Sequence, residues 1–328
     1  MILVGRASAV DGRGPWLQYE PADSAEDAPH VVLISGDEEY RSEEALPMLG
    51  ALLAKRHGMR ATVLFAIDPD TGEVDPDERS NIPGLAALAE ADLMIIATRF
   101  RDLPDEQMKH IDDYLQSGRP VIGLRTATHA FAPEQVNAFA RYGWQSKEPG
   151  WEGGFGRRVL GETWISHHGD HGRQSTRGLV APQAQDHPIA RGLSETVPWG
   201  PSDVYTVRLP EGSEPIVLGA VLEGMDENDE PATDKATMPI AWTKSYDVGG
   251  KQGRVFTTTM GAATDLESAG VRRMVVNGVY WCLGRADEIP PEGSDVTLDF
   301  AYRPTSFGFG TFQKHKRPVD FDPTGELE

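Results

Sequence analysis

Cysteine is nearly absent from this chain: Cys282 is the single one among 328 residues. An intramolecular disulfide is thereby excluded, as is a cysteine cage for zinc, and the redox compartment stays open. Basic charge is also scarce, with 31 Lys and Arg against 51 Asp and Glu and a formal net charge of -20 at pH 7. A surface this acidic repels phosphate, which argues against nucleic acid or an anionic membrane as a partner. No apolar run approaches the roughly 20 residues that a membrane span needs. The opening Met1–Val4 is too short for a signal-peptide core. The expected location is therefore cytoplasmic, or exported with a leader absent from this chain. What is present is ordinary for a globular protein: 39% hydrophobic and 25% charged residues, enough for a sizeable core.

The apolar pattern alternates between strand and helix. His30–Gly36, Ala61–Phe65, Asp92–Ala97 and Pro120–Leu124 are short apolar runs of the kind that form buried parallel strands. Between them, Glu43–His57 carries leucines at helical spacing and closes on Gly58, and Asp105–Gln116 reads as a second helix. This alternation predicts an α/β fold with a doubly wound, mostly parallel sheet flanked by helices. Asp203–Leu209, Pro215–Leu218, Met238–Trp242 and Arg254–Thr259 read as later strands, and Val271–Leu283 as a closing helix. Residues 1–29 read as an extended N-terminal arm, 30–285 as the α/β domain, and 286–328 as a C-terminal extension wrapped over the surface.

Open parallel sheets bind ligands beyond the carboxyl ends of their strands, and three such ends here are unusually polar. After the first strand come Gly36, Asp37, Glu38, Glu39, Tyr40, Arg41, Ser42 and Glu43. The acids there suit a helix N-terminus. That leaves Tyr40 and Arg41 less well explained, so Glu38, Tyr40 and Arg41 are candidate substrate contacts. After the third strand stand Arg99, Phe100 and Arg101. A helix that starts at Asp102 or Leu103 with Pro104 in its first turn accounts for the segment, with Arg99 kept as a candidate anion or sugar contact. After the fourth strand, Gly123-Leu124-Arg125-Thr126-Ala127-Thr128-His129 has the shape of a nucleophile elbow. Arg125 holds the elbow position. It stays protonated and cannot be a nucleophile, but it can clamp a carboxylate, face an oxyanion or fix sugar hydroxyls. Thr126 and His129 would line the same pocket.

Three of the nine histidines, His167, His168 and His171, fall within five residues and enclose Asp170. Imidazoles so spaced on a loop can serve as acid and base, or hold a divalent metal through His168 and His171. The spacing matches no zinc signature. Glu162 lies near enough in sequence to be a general base or a further ligand.

These segments also carry a family resemblance. VVLISGDEEYRSEEALPML, PVIGLRTATHAF, GETWISHHGDHGRQSTRG and RRMVVNGVYWCLG, in this order, resemble the ThuA-like (trehalose-utilisation) proteins. These are a branch of the class I glutamine amidotransferase-like, flavodoxin-like fold, and the match is to the form found in planctomycete-type bacteria. The resemblance implies action on a small-molecule carbohydrate, in particular a keto-sugar or 3-keto-glycoside, by a lyase or hydrolase. His168, His171 and Glu162 would then be catalytic together with Arg125, and Glu38, Tyr40, Arg41, Arg99, Thr126, His129 and His167 would bind substrate. Amidotransferases place cysteine at the elbow. With Arg125 there, glutaminase activity is expected to be absent. The alternatives are a non-catalytic carbohydrate-binding or regulatory protein, and an amidase or protease using Thr126 or Thr128. A homo-oligomer is compatible with the sequence.

Overall fold

The computed structural model describes residues 14–21, 27–134 and 138–327. Most of the N-terminal arm expected over 1–29 lies outside these residues. The first long strand explains how the layers form. In β2 (His30–Gly36; β1, Trp16–Tyr19, precedes it) every residue is buried. Successive side chains of a strand point to opposite faces. Val31 and Leu33 accordingly pack with Leu49 of α1 (Ser42–His57) and Val275 of α3 (Ala269–Cys282). Val32 and Ile34 pack on the other side with Ile111 of α2 (Asp105–Gln116). The sheet is thus covered by helices on both faces.

The other strands are β3 (Arg60–Leu64), β4 (Leu93–Thr98), β5 (Val121–Leu124), β6 (Thr176–Val180), β7 (Trp199–Gly200), β8 (Glu214–Val221), β9 (Met238–Val248) and β10 (Lys251–Thr258). They form one ten-stranded sheet in the order β1-β3-β2-β4-β5-β10-β9-β8-β6-β7. The run β3-β2-β4-β5-β10 is parallel throughout. Beyond β10, and at β1, every pairing is antiparallel. The sheet is therefore mixed rather than mostly parallel. One cause is readable: Gly249 and Gly250 take φ of 68° and 80°, as a two-residue hairpin turn requires, and the hairpin commits β9 to run against β10.

The strand expected over Asp203–Leu209 does not form. Only Tyr205 makes a bridge, to His167. Its neighbours extend that pairing, with His168 N–H donating to Val204 O at 2.8 Å and Thr206 N–H to Ser166 O at 2.9 Å. Among the described residues no helix is long and apolar enough to cross a membrane.

Close packing under the β5 end gives a direct test of this architecture. A Cβ on Gly156 would stand 2.0 Å from Thr128 O and 2.8 Å from Glu162 O. Backbone carbonyls cannot yield as a flexible side chain does. Gly156→Ala is expected to cost roughly 1–3 kcal/mol, read from the urea unfolding midpoint. An unshifted midpoint would show that the 125–129 turn is looser than described.

Candidate active site

Left-handed backbone is unfavourable for any residue with a Cβ, and where it persists the surrounding structure holds it. Four non-glycine residues adopt it among those described, and three of them follow parallel strands. Arg41 (φ 61°) comes after β2, Phe100 (φ 52°) after β4 and Arg125 (φ 46°) after β5. The three turns touch one another: Glu38 pairs with Arg99, and Phe100 N–H donates to His129 O at 2.9 Å. At β2 the turn is fixed by Asp37. Its Oδ1 accepts the N–H groups of Glu39 at 2.8 Å and Tyr40 at 3.1 Å, and its Oδ2 accepts Thr126 Oγ1.

Arg125 is the centre of what this turn assembles. Its side chain is 1% exposed and that of Asp203 is 0%. Nη2 donates to Asp203 Oδ1 at 2.8 Å and to Tyr40 Oη at 3.0 Å. Nη1 donates to the carbonyls of Asp203 at 2.6 Å and Thr259 at 2.8 Å. The guanidinium is sandwiched between two rings, 4.4 Å from the centroid of Tyr40 and 4.0 Å from that of Tyr205. With both Nη groups so committed, Arg125 does not reach toward a ligand. It anchors Asp203 from beneath.

Asp203 in turn faces two histidines. His167 Nδ1 lies 2.7 Å from Oδ2 and His171 Nδ1 lies 3.0 Å from Oδ1. Burial alone would raise the Asp203 carboxyl, but Arg125 and the two histidines hold it well below the usual carboxylate range. His171 also places Nε2 3.2 Å from Glu39 Oε1. Hydrogen bonds to Asp203 and then Glu39 raise its pKa to about 9, against a smaller opposing effect of burial. His171 is therefore an imidazolium at neutral pH. The two imidazole rings sit 4.9 Å apart, and both side chains are about a third exposed.

His167, His171 and Asp203 bring one ligand atom each within 4.8 Å of one another, the spacing of a metal-ligand group. The fixed positive charge of Arg125 at 2.8 Å from Asp203 Oδ1 opposes a second cation there.

The other residues singled out from the sequence are placed unequally. His168, despite its neighbours, turns away and sets Nε2 2.7 Å from Ala236 O, so the pair His168 and His171 is not brought together. Glu162 is buried and fully engaged, accepting from Arg157 Nη1 at 2.8 Å, Thr163 N–H at 3.0 Å and Arg208 N–H at 2.6 Å. Thr126 is buried under Asp37. Arg41 is buried and grips the C-terminal extension through Gly308 O at 2.6 Å and Thr311 Oγ1. His129 is buried with its ring 4.9 Å from that of Phe100. Burial, then Arg99, Arg125 and His167, keep its pKa well below the usual value, so it is neutral. Glu38 pairs with Arg99 and with Arg101 Nη2, the latter at 3.1 Å. Glu39, Asp203 and Tyr205 belong to the site without any mark of it in the sequence. Asp203 is one of 51 acids, and no local pattern distinguishes it. Its pairing with His167 is made by a bridge between loops.

The arrangement is that of an α/β protein with a buried Arg125–Asp203 pair and two histidines, His167 and His171, gathered beside the turns that follow β2 and β5. Residues 30–282 match the ThuA family, described as trehalose utilisation. The chain belongs to that family. No curated protein matches. Among solved structures it is similar to a ThuA-like protein from Parabacteroides merdae ATCC 43184, at 15% identity and a TM-score of 0.52, over 86% of this chain and 97% of that one. It is also similar to a ThuA-like protein from Bacteroides uniformis ATCC 8492, at 13% identity and a TM-score of 0.47, over 80% and 94% of the two chains. A cytoplasmic protein, STM3548 of Salmonella typhimurium, aligns at 12% identity with a TM-score of 0.44, over 77% of this chain and 98% of that one.

Proposed function

We propose that this protein is an enzyme of sugar catabolism that cleaves a keto-sugar glycoside, a 3-keto-glycoside in particular, by proton transfer. The observation that carries the reading is the pair of partly exposed imidazoles, His167 and His171, oriented by one buried carboxylate. The link of the ThuA family to sugar utilisation supports the substrate class. A ketone at C3 acidifies the C2 hydrogen. His167, donating Nδ1–H to Asp203, presents Nε2 as the base that removes it. The released electron pair forms the C1–C2 double bond, the C1–oxygen bond to the aglycone breaks, and His171 transfers its Nε2 proton, held against Glu39 Oε1 in the resting site, to the departing oxygen. Asp203 stays ionised and holds both rings. Arg125 acts on the reaction through Asp203, and its place at the elbow leaves no nucleophile for amidotransferase chemistry.

The test is aglycone release from nitrophenyl 3-keto-glucosides of both anomers, with and without chelator. Turnover that survives chelation and falls about 100- to 10,000-fold in His167→Ala is the expected result. Binding of these glycosides with no turnover of either anomer would overturn the reading in favour of a binding protein.

A further inference from the structure

We infer that the C-terminal extension completes the sugar-binding cleft of this site, with Phe307 and Phe309 presenting aromatic faces to a neutral pyranose. The inference builds on the proposed carbohydrate reading and concerns residues beyond 282, where the family match ends.

The extension is seated by charged side chains of the domain. Gly308 N–H donates to Glu39 O at 2.8 Å. Arg41, 0% exposed, donates to Gly308 O and Thr311 Oγ1. The Glu44 carboxylate accepts Thr305 N–H and Thr305 Oγ1, both at 2.6 Å, and Gln313 Nε2 at 3.2 Å. Buried charges are costly unless paired, so Arg41 and Glu44 make this path a fixed part of the fold. It brings Phe307 to 5.3 Å from the Tyr40 ring and 5.7 Å from the His171 ring.

From there the ring contacts close on themselves. His171 lies beside His167, His167 is 5.7 Å from Trp164, Trp164 is 6.0 Å from Trp144, and Trp144 is 5.3 Å from Phe100. The Arg99 guanidinium sits 4.5 Å from Phe100 and 5.0 Å from Phe309. Phe309 returns through Gly308 to Phe307. Glu39 spans this rim, 3.2 Å from His171 Nε2 and 3.7 Å from Arg99 Nε.

A pyranose has apolar C–H faces and an equator of hydroxyls. Flat aromatic walls with carboxylates between them offer stacking to the first and hydrogen-bond acceptors to the second. Glu38 is paired with Arg99 and Arg101, and Glu39 with His171 and Arg99, so the rim is charge-compensated and suits an uncharged sugar. Phe309 is 58% exposed, the most exposed large apolar side chain among the described residues. It is therefore free to be covered by a ligand.

The experiment is calorimetric titration of the full-length His167→Ala protein with nitrophenyl 3-keto-glucoside, alone and combined with Phe309→Ala or Phe309→Trp. Phe309→Ala is expected to weaken binding about tenfold, and Phe309→Trp to retain it. Because Phe309 is exposed, its loss leaves the fold intact, which circular dichroism checks. A change below twofold in Phe309→Ala, or tighter binding, overturns the inference even if wild-type protein cleaves the glycoside. Weakened binding in a protein that cleaves no glycoside supports the cleft while the catalytic reading falls. Absence of any binding overturns both.

Discussion

Asp203→Ala is expected to lower folding stability by about 3–5 kcal/mol, the usual cost of removing one partner from a buried ion pair. The size of the effect follows from what is left behind. Arg125 is 1% exposed, keeps its charge at any working pH, and would retain only backbone carbonyls, Tyr40 Oη and two ring faces as partners. Those interactions disperse the charge without neutralising it. The two histidines would also lose their common acceptor. Removing both members of the pair, as in Arg125→Met with Asp203→Leu, takes away the uncompensated charge and should recover much of the loss. Denaturant unfolding of the two single variants and the double variant provides the cycle. If Asp203→Ala alone costs less than about 1 kcal/mol, the pair is hydrated and the description of a buried anchor fails. Catalysis responds differently. The double variant should stay as inactive as the single ones, because neither imidazole is then oriented.

The division between what the sequence discloses and what it conceals follows the range of the interactions. β2, β4 and β5, with α1, α2 and α3, are legible because burial on both faces makes each strand a continuous apolar run and each helix ends at recognisable signals such as Gly58. The elbow at Arg125 is legible from strand followed by turn. The antiparallel half is harder to read: β6, Thr-Arg-Gly-Leu-Val, has too few residues to show a period, and β1 lies in a stretch with no apolar pattern. The site separates along the same line. Arg125, His167 and His171 stand out by residue type at a strand end or in a cluster. The partners that determine their chemistry, Asp203 and Glu39, are separated from them in sequence and resemble every other acid in a chain rich in acids. His168 shows the reverse error. It shares the cluster of His167, yet adjacent residues in extended backbone point opposite ways, so only one of the two faces Asp203.

His171→Gln is expected to remove a pH dependence that runs from about 6.5 to about 9. The folded-state pKa of about 9 lies above the ordinary histidine value of about 6.5 that the unfolded chain would show. A raised histidine pKa means that the folded state binds the proton more tightly. Its contribution to stability is therefore present in full below about pH 6.5, declines as pH rises, and is gone above about pH 9. The side chain is about a third exposed, so solvent screens part of this gain, leaving roughly 1–2 kcal/mol. Wild type should exceed His171→Gln by that amount at pH 6 and converge with it at pH 10, as measured by urea unfolding across the range. Asp203→Asn provides the second reading. With the hydrogen bond to a charged Asp203 lost, the His171 resonance followed by NMR should titrate nearer to 6.5. A His171 that titrates near 6.5 in the wild-type protein would remove the imidazolium from neutral pH, and with it the proton donor for the departing oxygen. If the donor is as described, glycoside cleavage declines on the alkaline side through about pH 9. An imidazolium shared by Asp203 and Glu39 must lose activity as it loses its proton, and a profile still rising at pH 10 would exclude His171 as the acid.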